Sequence, residues 1–303
     1  MADLVVVGSV ALDSVQTPFG KVTEALGGSA TYFSYAASFF TQVRVVAAVG
    51  EDFPREHLDL LRGRSVDVEA LEVLSGKRTF RWTGEYGFDL NEAKTLDTQL
   101  NALAEFRPAL GPSHRAAPFL FLANIDPELQ IEVRRQMAAP VLTALDTMNF
   151  WIDGKREALL RALSLVDVLI INDAEARMLA REPNLVKAAR SIIRMGPRVV
   201  VIKRGEYGAV MVTGDEFFFT PAYPLESVFD PTGAGDTFAG GFMGYLAQRG
   251  LTDPASVRRA MVFGAVMASF TVEDFSLERL KRLTRDEIEE RYGAFQSMVA
   301  FER

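Results

Sequence analysis

The 303-residue chain reads as an α/β protein: a mainly parallel central sheet, helices on both faces and a smaller sheet projecting from the core. Three observations predict this. Short β-branched runs alternate with longer stretches of helical spacing, the pattern of right-handed βαβ units. Those runs are apolar throughout, as strands buried on both faces must be. Two stretches break the rhythm: residues 12–26 carry the turn signal Pro18-Phe19-Gly20, and residues 66–89 alternate apolar and polar side chains, as in Thr79-Phe80-Arg81-Trp82-Thr83. Period-2 alternation marks half-exposed antiparallel strands. The reading therefore divides the chain into a core (1–11, 27–65 and 90–303) and a small β lid (12–26 and 66–89).

Strands are expected at Leu4–Val7, Val43–Val49, Phe119–Leu122, Val141–Leu145, Val166–Ile171 and Val199–Ile202. Helical spacing predicts helices over Ala30–Phe40, Phe53–Leu61, Pro127–Met137, Lys155–Leu163, Asp173–Ala180 and Leu185–Arg194. The last third, mostly helical in pattern (Thr237–Gln248, Pro254–Phe270, Arg285–Phe301), should pack on the sheet.

Composition limits the function. With 49% hydrophobic and 24% charged residues, the chain has enough apolar material for one large core. Forty acidic against 33 basic side chains give a net charge of −7, the wrong sign for phosphate neutralisation, so neither nucleic acid nor an anionic membrane surface is an expected partner. The absence of cysteine excludes disulfides, thiol nucleophiles and cysteine zinc sites. The N-terminus has no basic segment and its apolar run breaks too early for a signal peptide. The apolar stretch Ala260–Phe270 is too short for a membrane span. A cytoplasmic protein is expected.

Ligands of open α/β sheets bind outside the carboxyl ends of the strands. Here those ends carry Asp13, Asn124, Asp126, Asp146, Asn149, Asn172, Glu175, Lys203 and Gly205, an accumulation that marks a site without naming a chemistry. The densest signal is Asp230-Pro231-Thr232-Gly233-Ala234-Gly235-Asp236-Thr237-Phe238-Ala239-Gly240-Gly241. Pro231 biases Asp230 to an extended conformation, and Gly233 and Gly235 permit a tight turn into a helix. Free amides of Gly233, Ala234 and Gly235 at the positive end of the helix dipole form an anion site. The bland alternative is a glycine-rich turn with Asp236 as dipole partner. Yet a carboxylate beside an anion hole repels a phosphate unless it has a task, such as accepting a proton from an attacking hydroxyl. Gly240, Gly241 and Gly244 weaken that helix by about 1 kcal/mol each relative to Ala, which suggests close packing or a ligand against the backbone.

Asn172-Asp173-Ala174-Glu175 opens a helix and forms a variant capping box by its spacing; its second reading has Glu175 ordering a hydrated Mg²⁺. Lys203-Arg204-Gly205-Glu206-Tyr207-Gly208 reads as a hairpin turn or as a loop bordering a triphosphate. Gly27-Gly28-Ser29 precedes a helix and permits close approach of a small polar ligand. His57 and His114 stand apart from each other, so neither metal ligation nor a triad is expected. Phe80 and Trp82 could cap a ligand, with cross-strand packing as the default. A P-loop, a dinucleotide fingerprint and the catalytic loop of protein kinases are missing, which disfavours an oxidoreductase.

With these residues in view, the sequence resembles the ribokinase, or PfkB, family of carbohydrate and nucleoside kinases. Asp230–Gly241 is similar to that family's C-terminal signature, Asn172–Glu175 to its Asn-x-x-Glu motif, and Gly27-Gly28 with Gly50-Glu51-Asp52 to its N-terminal signature region. Order and spacing agree over nearly the whole chain. The resemblance implies a ribokinase-like three-layer α/β/α core with a β lid, and ATP and Mg²⁺ as cofactors. It makes Asp236 the general base and Gly233, Ala234 and Gly235 the anion hole. Asn172 and Glu175 would place Mg²⁺, through water, and the triphosphate; Lys203, Gly205 and Gly208 would border the nucleotide. Asp13, Gly27, Gly28 and Ser29 fall where acceptor hydroxyls are held, and Asp230 and Thr232 where some members bind a monovalent cation such as K⁺.

Two positions depart from the family pattern: Tyr32 stands where an Asn commonly bonds a sugar hydroxyl, and Lys203 where many sugar kinases have Thr. The implied activity is transfer of the ATP γ-phosphate to a hydroxyl of a small sugar or nucleoside. The alternatives are a kinase specific for nucleosides of the adenosine or inosine type, and a catalytically silent nucleotide sensor. A homodimer through the lid, by strand addition, is a further expectation.

Overall fold

The run Leu4-Val5-Val6-Val7 has no exposed side chain, and alternate residues enter different cores. Leu4 and Val6 join a hydrophobic cluster with Phe33, Phe121 and Phe242; Val5 and Val7 join a second with Leu120, Leu122 and Leu163. Successive side chains of a strand point to opposite faces, so a strand between two helical layers must be apolar at every position.

The computed structural model describes residues 3–214 and 216–300. Numbered along the chain, its strands begin with β1 (Leu4–Val7), β2 (Ala11–Thr17), β3 (Gly20–Gly27), β4 (Val43–Gly50), β5 (Val66–Asp67), β6 (Leu71–Leu74) and β7 (Phe80–Tyr86). They continue with β8 (Ala93–Gln99), β9 (Phe119–Leu122), β10 (Leu142–Asp146), β11 (Val168–Asn172), β12 (Val199–Lys203), β13 (Ala209–Val212) and β14 (Phe217–Thr220). The large sheet runs β14-β13-β12-β11-β10-β9-β1-β4-β5, with β6 also paired to β4. All its pairings from β12 to β5 and β6 are parallel; β13 and β14 add an antiparallel edge. Helices pack on both faces, and a second sheet, β3-β2-β7-β8, stands apart from the first, the three-layer arrangement with a small sheet that was expected.

The expected strands and helices form, and β1, β9 and helix Asp173–Ala180 have the expected ends. The last helix spans Arg285–Val299, and Phe301, included in the expectation, lies outside the described residues. Two assignments change. Residues 66–74 do not belong to the small sheet; β5 and β6 pair with β4 at the edge of the large one. Edge strands are half-buried too, so alternation alone could not tell the two sheets apart. In their place β8, polar and almost wholly exposed, closes the small sheet beyond residue 89. The β13–β14 hairpin and the short helix Asn149–Gly154 carry no strong periodic signal and were not expected.

The glycine-rich helix Ala234–Arg249 lies wedged between helices Ser29–Ala37 and Pro254–Thr271. A Cβ on Gly240 would collide with the carbonyl oxygen of Phe33; one on Gly241 would stand 2.7 Å from that of Phe263, and one on Gly244 2.9 Å from the Cα of Ala37. Close packing therefore accounts for these three glycines. Among the described residues no helix is long and apolar enough to cross a membrane. Gly240→Ala should destabilise the protein by roughly 1–3 kcal/mol in thermal melts through overpacking. Gly293→Ala, where a Cβ would meet open space in a helix, should leave the melting temperature unchanged or raise it.

Candidate functional site

Gly233 is the N-cap of helix Ala234–Arg249 at φ 76°, a left-handed conformation that suits glycine. It has a second reason to lack a side chain: the ring of Tyr32 lies where a Cβ would project. The Ala234 amide donates to the carbonyl of Pro231 and is not free, which corrects the expected donor set. The amides of Gly233 and Gly235 have no acceptor among the described residues, and a first-turn amide finds none within its own helix. Asp236 follows in the same turn. Burial first, and then the neighbouring Asp146 carboxylate, push its carboxyl up to about 7, against the opposing pull of Lys203.

Asp13, buried on β2, packs its carboxylate against Gly27, where a side chain would collide with it, and accepts a 3.3 Å hydrogen bond from the Gly28 amide. Its second oxygen, Oδ1, is buried without a partner. Burial raises its carboxyl to about 7, with Asp230 and Asp236 adding repulsion. Tyr86, from β7, reaches the same neighbourhood and lies 3.4 Å from the Thr232 hydroxyl. Burial and the carboxylates of Asp230, Asp13 and Asp236 push its phenol up to about 12, although the Thr232 contact works against them.

On the other side of Asp236, the Lys203 ammonium lies 3.0 Å from Asp146 Oδ2 and 2.9 Å from the place a Cβ on Gly235 would occupy. Burial disfavours its charge, but the carboxylates of Asp146, Glu175 and Asp236 hold its pKa above the ordinary value. Asn172 and Glu175 form the capping box: the Glu175 amide donates to Asn172 Oδ1 and the Asn172 amide to Glu175 Oε2, both at 2.8 Å. Burial and then Asp146 bring Glu175 up to about 7, so the cap also belongs to this charged cluster.

The remaining expected residues make contacts within the protein. Ser29 exchanges hydrogen bonds with Ser9. Asp230 accepts from the amides of Thr232 (2.9 Å) and Ser276 (3.4 Å). Gly205 and Gly208 both adopt positive φ in the β12–β13 turn, and Asn91 from the β7–β8 turn occupies the space beside Gly205, accepting from the Glu206 amide at 3.3 Å. Trp82 packs over Gly84 and donates to Thr95, the cross-strand role.

The pfkB family carbohydrate kinase model matches residues 1–279. The chain belongs to this family. Among curated relatives, the cytidine kinase of Thermococcus kodakarensis is 30% identical over 262 residues, 84% of this chain and 92% of that protein. The nucleoside kinase of Methanothermobacter thermautotrophicus is 27% identical over 290 residues, 90% of each chain. The solved nucleoside kinase of Methanocaldococcus jannaschii, described as an archaeal member of the ribokinase family, superimposes with a TM-score of 0.77 at 20% identity over 97% of this chain and 99% of that one.

As a pfkB family member the chain is a phosphotransferase with an alcohol acceptor, a sugar or nucleoside kinase. Its residues suit that chemistry. Unpaired amides and a lysine supply positive potential, a carboxyl with a pKa near neutrality can exchange a proton, and a buried carboxylate oxygen awaits a donor. Sequence reading missed Tyr86 and the partnership of Asp146 with Lys203. Tyr86 was in phase with Phe80 and Trp82, but the phase says nothing of depth; Asp146 was visible only as one polar strand end among several.

The buried carboxyls predict a pH-dependent stability. Between 3.8 and about 7 the folded protein keeps the Asp13 proton that the unfolded chain has released, so stability falls as pH climbs through that interval. Asp13→Asn keeps the acceptor for Gly28 and removes the buried charge. Melting curves should show it more stable than the parent by a few degrees at pH 8 and equal to it near pH 4.

Proposed function

We propose that the protein is an ATP- and Mg²⁺-dependent nucleoside kinase acting in the cytoplasm. The observation that carries the reading is the placement of Asp236 in the first turn of a helix whose Gly233 and Gly235 amides are unpaired, with Lys203 alongside. Asp236 accepts the proton of the acceptor hydroxyl as its oxygen attacks the terminal phosphoryl group. The amides and Lys203 receive the charge that builds on the transferring group. Asp13 Oδ1 takes a hydrogen bond from a second acceptor hydroxyl and orients the sugar ring, while bare Gly27 leaves room for the Asp13 carboxylate and the Gly28 amide holds its other oxygen. Asn172 orders the loop through its cap, and Glu175 would hold Mg²⁺ through water.

The donor set fits such an ion: the hard carboxylates of Glu175 and Asp236 stand beside the anion site, and a cation that keeps its waters takes few ligands from the protein. Bound Mg²⁺ would neutralise the phosphates. The small sheet acts as a lid that excludes water from the transfer. Gly205 and Gly208 border the nucleotide, Asp230 and Thr232 are assigned a K⁺ ion, and lid edges β3 and β8 offer strand addition in a homodimer.

A nucleoside is favoured over a free sugar by Tyr32 and Tyr86. The aromatic Tyr32, buried with its ring over Gly233, fills the place where sugar kinases carry an Asn, and the half-buried Tyr86 beside Thr232 offers a ring suited to stacking with a base. The cytidine and nucleoside kinases matched over at least 90% of their own length support the same choice.

ADP release with Mg²⁺–ATP over a panel of nucleosides, sugars and polyols is expected to respond to a nucleoside, with kcat/KM rising through a pKa of about 7 as Asp236 loses its proton. Asp236→Asn should lower kcat by at least about a thousandfold while ATP still binds. Turnover of sugars alone would refute the nucleoside assignment, and a wild-type kcat in the variant would remove the base.

A further inference from the structure

Lys203 and Asp146 stand at the ends of β12 and β10, with β11 between them. The long lysine side chain crosses β11 to place its ammonium 3.0 Å from Asp146 Oδ2. The other Asp146 oxygen accepts a 2.7 Å hydrogen bond from the Thr147 amide, so the carboxylate is held at both oxygens. Both side chains are largely buried, 17% and 6% exposed. Held in this way, the ammonium stands against Gly235, in the first turn of a helix.

That is the wrong end of a helix for a cation. The dipole and the unpaired Gly235 amide both present positive charge there, and lysines are stabilising at the opposite terminus. A buried ion pair contributes little to stability by itself, since desolvation offsets its attraction. The carboxylates around Lys203 keep it charged there, and an anion between the ammonium and the amides would satisfy both at once.

We propose that Asp146 is a positioning residue that holds the Lys203 ammonium over the helix amides, and that this ammonium binds the phosphoryl group in transfer. The inference rests on the kinase reading and adds a residue to it. Asp146 acts through Lys203, whose ammonium and the Thr147 amide occupy its two oxygens; it restricts a flexible side chain that would otherwise be drawn to Glu175 or Asp236, the other carboxylates in its field. Gly235 must remain bare for the same reason, because a Cβ would crowd the ammonium.

A double-mutant cycle tests this, with Lys203→Met, Asp146→Asn and both together, measured with Mg²⁺–ATP and the best nucleoside of the panel. Lys203→Met should lower kcat about a hundredfold, with the KM of the nucleoside unchanged. The variants are compared on the alkaline plateau, where Asp236 is ionised in every one and the Asp146 contribution to its pKa drops out. There Asp146→Asn should lower kcat by a smaller factor, and the double variant should match Lys203→Met, because Asp146 has nothing left to position. Should Asp146→Asn fail to fold, the double variant, which buries neither charge of the pair, still permits the comparison with Lys203→Met. A double variant slower than Lys203→Met, a Lys203→Met kcat equal to wild type, or a loss confined to nucleoside KM each overturns the inference. If the wild-type protein transfers no phosphoryl group to any acceptor, the kinase reading fails, an outcome distinct from an additive cycle in an active enzyme.

Discussion

The site depends on the contact between two helices that approach closely enough to exclude side chains. Gly240 meets the backbone of Phe33, and Gly244 that of Ala37. This contact fixes the start of helix Ala234–Arg249 relative to the start of helix Ser29–Ala37, so that Gly233 lies under Tyr32 and the Gly27-Gly28 turn faces Asp13. The stacked rings of Phe33 and Phe121, 4.2 Å apart, tie the same helix to β9 in the sheet. The residues proposed to bind acceptor and phosphate are thereby tied to one closely packed pair of helices, as precise alignment in phosphoryl transfer requires.

The second constraint is electrostatic. Asp146, Glu175 and Asp236 gather around a single ammonium, with Asp13 and Asp230 on the far side of Asp236. Burial makes every one of these carboxyls harder to ionise; Asp146 raises Asp236 and Glu175 further, Asp236 adds to Glu175, and Asp230 and Asp236 add to Asp13. Such crowding costs stability and has no use in a purely structural element. It suits a site that receives a metal–nucleotide complex and needs a proton acceptor tuned near neutrality. The small sheet joins this field through Tyr86, and the Asn91–Glu206 contact links its β7–β8 turn to the loop after β12.

Much of this was legible in the chain because period and burial are coupled: the all-apolar runs of β1 and β9 could only be strands buried on both faces. Asp236, Glu175 and Asp13 were legible from local spacing, since glycine turns, caps and strand ends are short-range features. What escaped depended on long-range packing. Residues 66–74 alternate like the small sheet but find their partner in β4, and β8 lacks an apolar face to announce it. The Ala234 amide looked free until Pro231 proved to accept from it. Lys203 and Asp146 lie 57 residues apart, and only the parallel order β10-β11-β12 brings their ends together.

The most direct test is a crystal structure with a non-hydrolysable ATP analogue, Mg²⁺ and a nucleoside. The account predicts the terminal phosphate against the Gly233 and Gly235 amides and the Lys203 ammonium, with a ribose hydroxyl within hydrogen-bond distance of Asp236 and another on Asp13. A terminal phosphate bound elsewhere, or a nucleoside whose hydroxyls avoid Asp236, would contradict it.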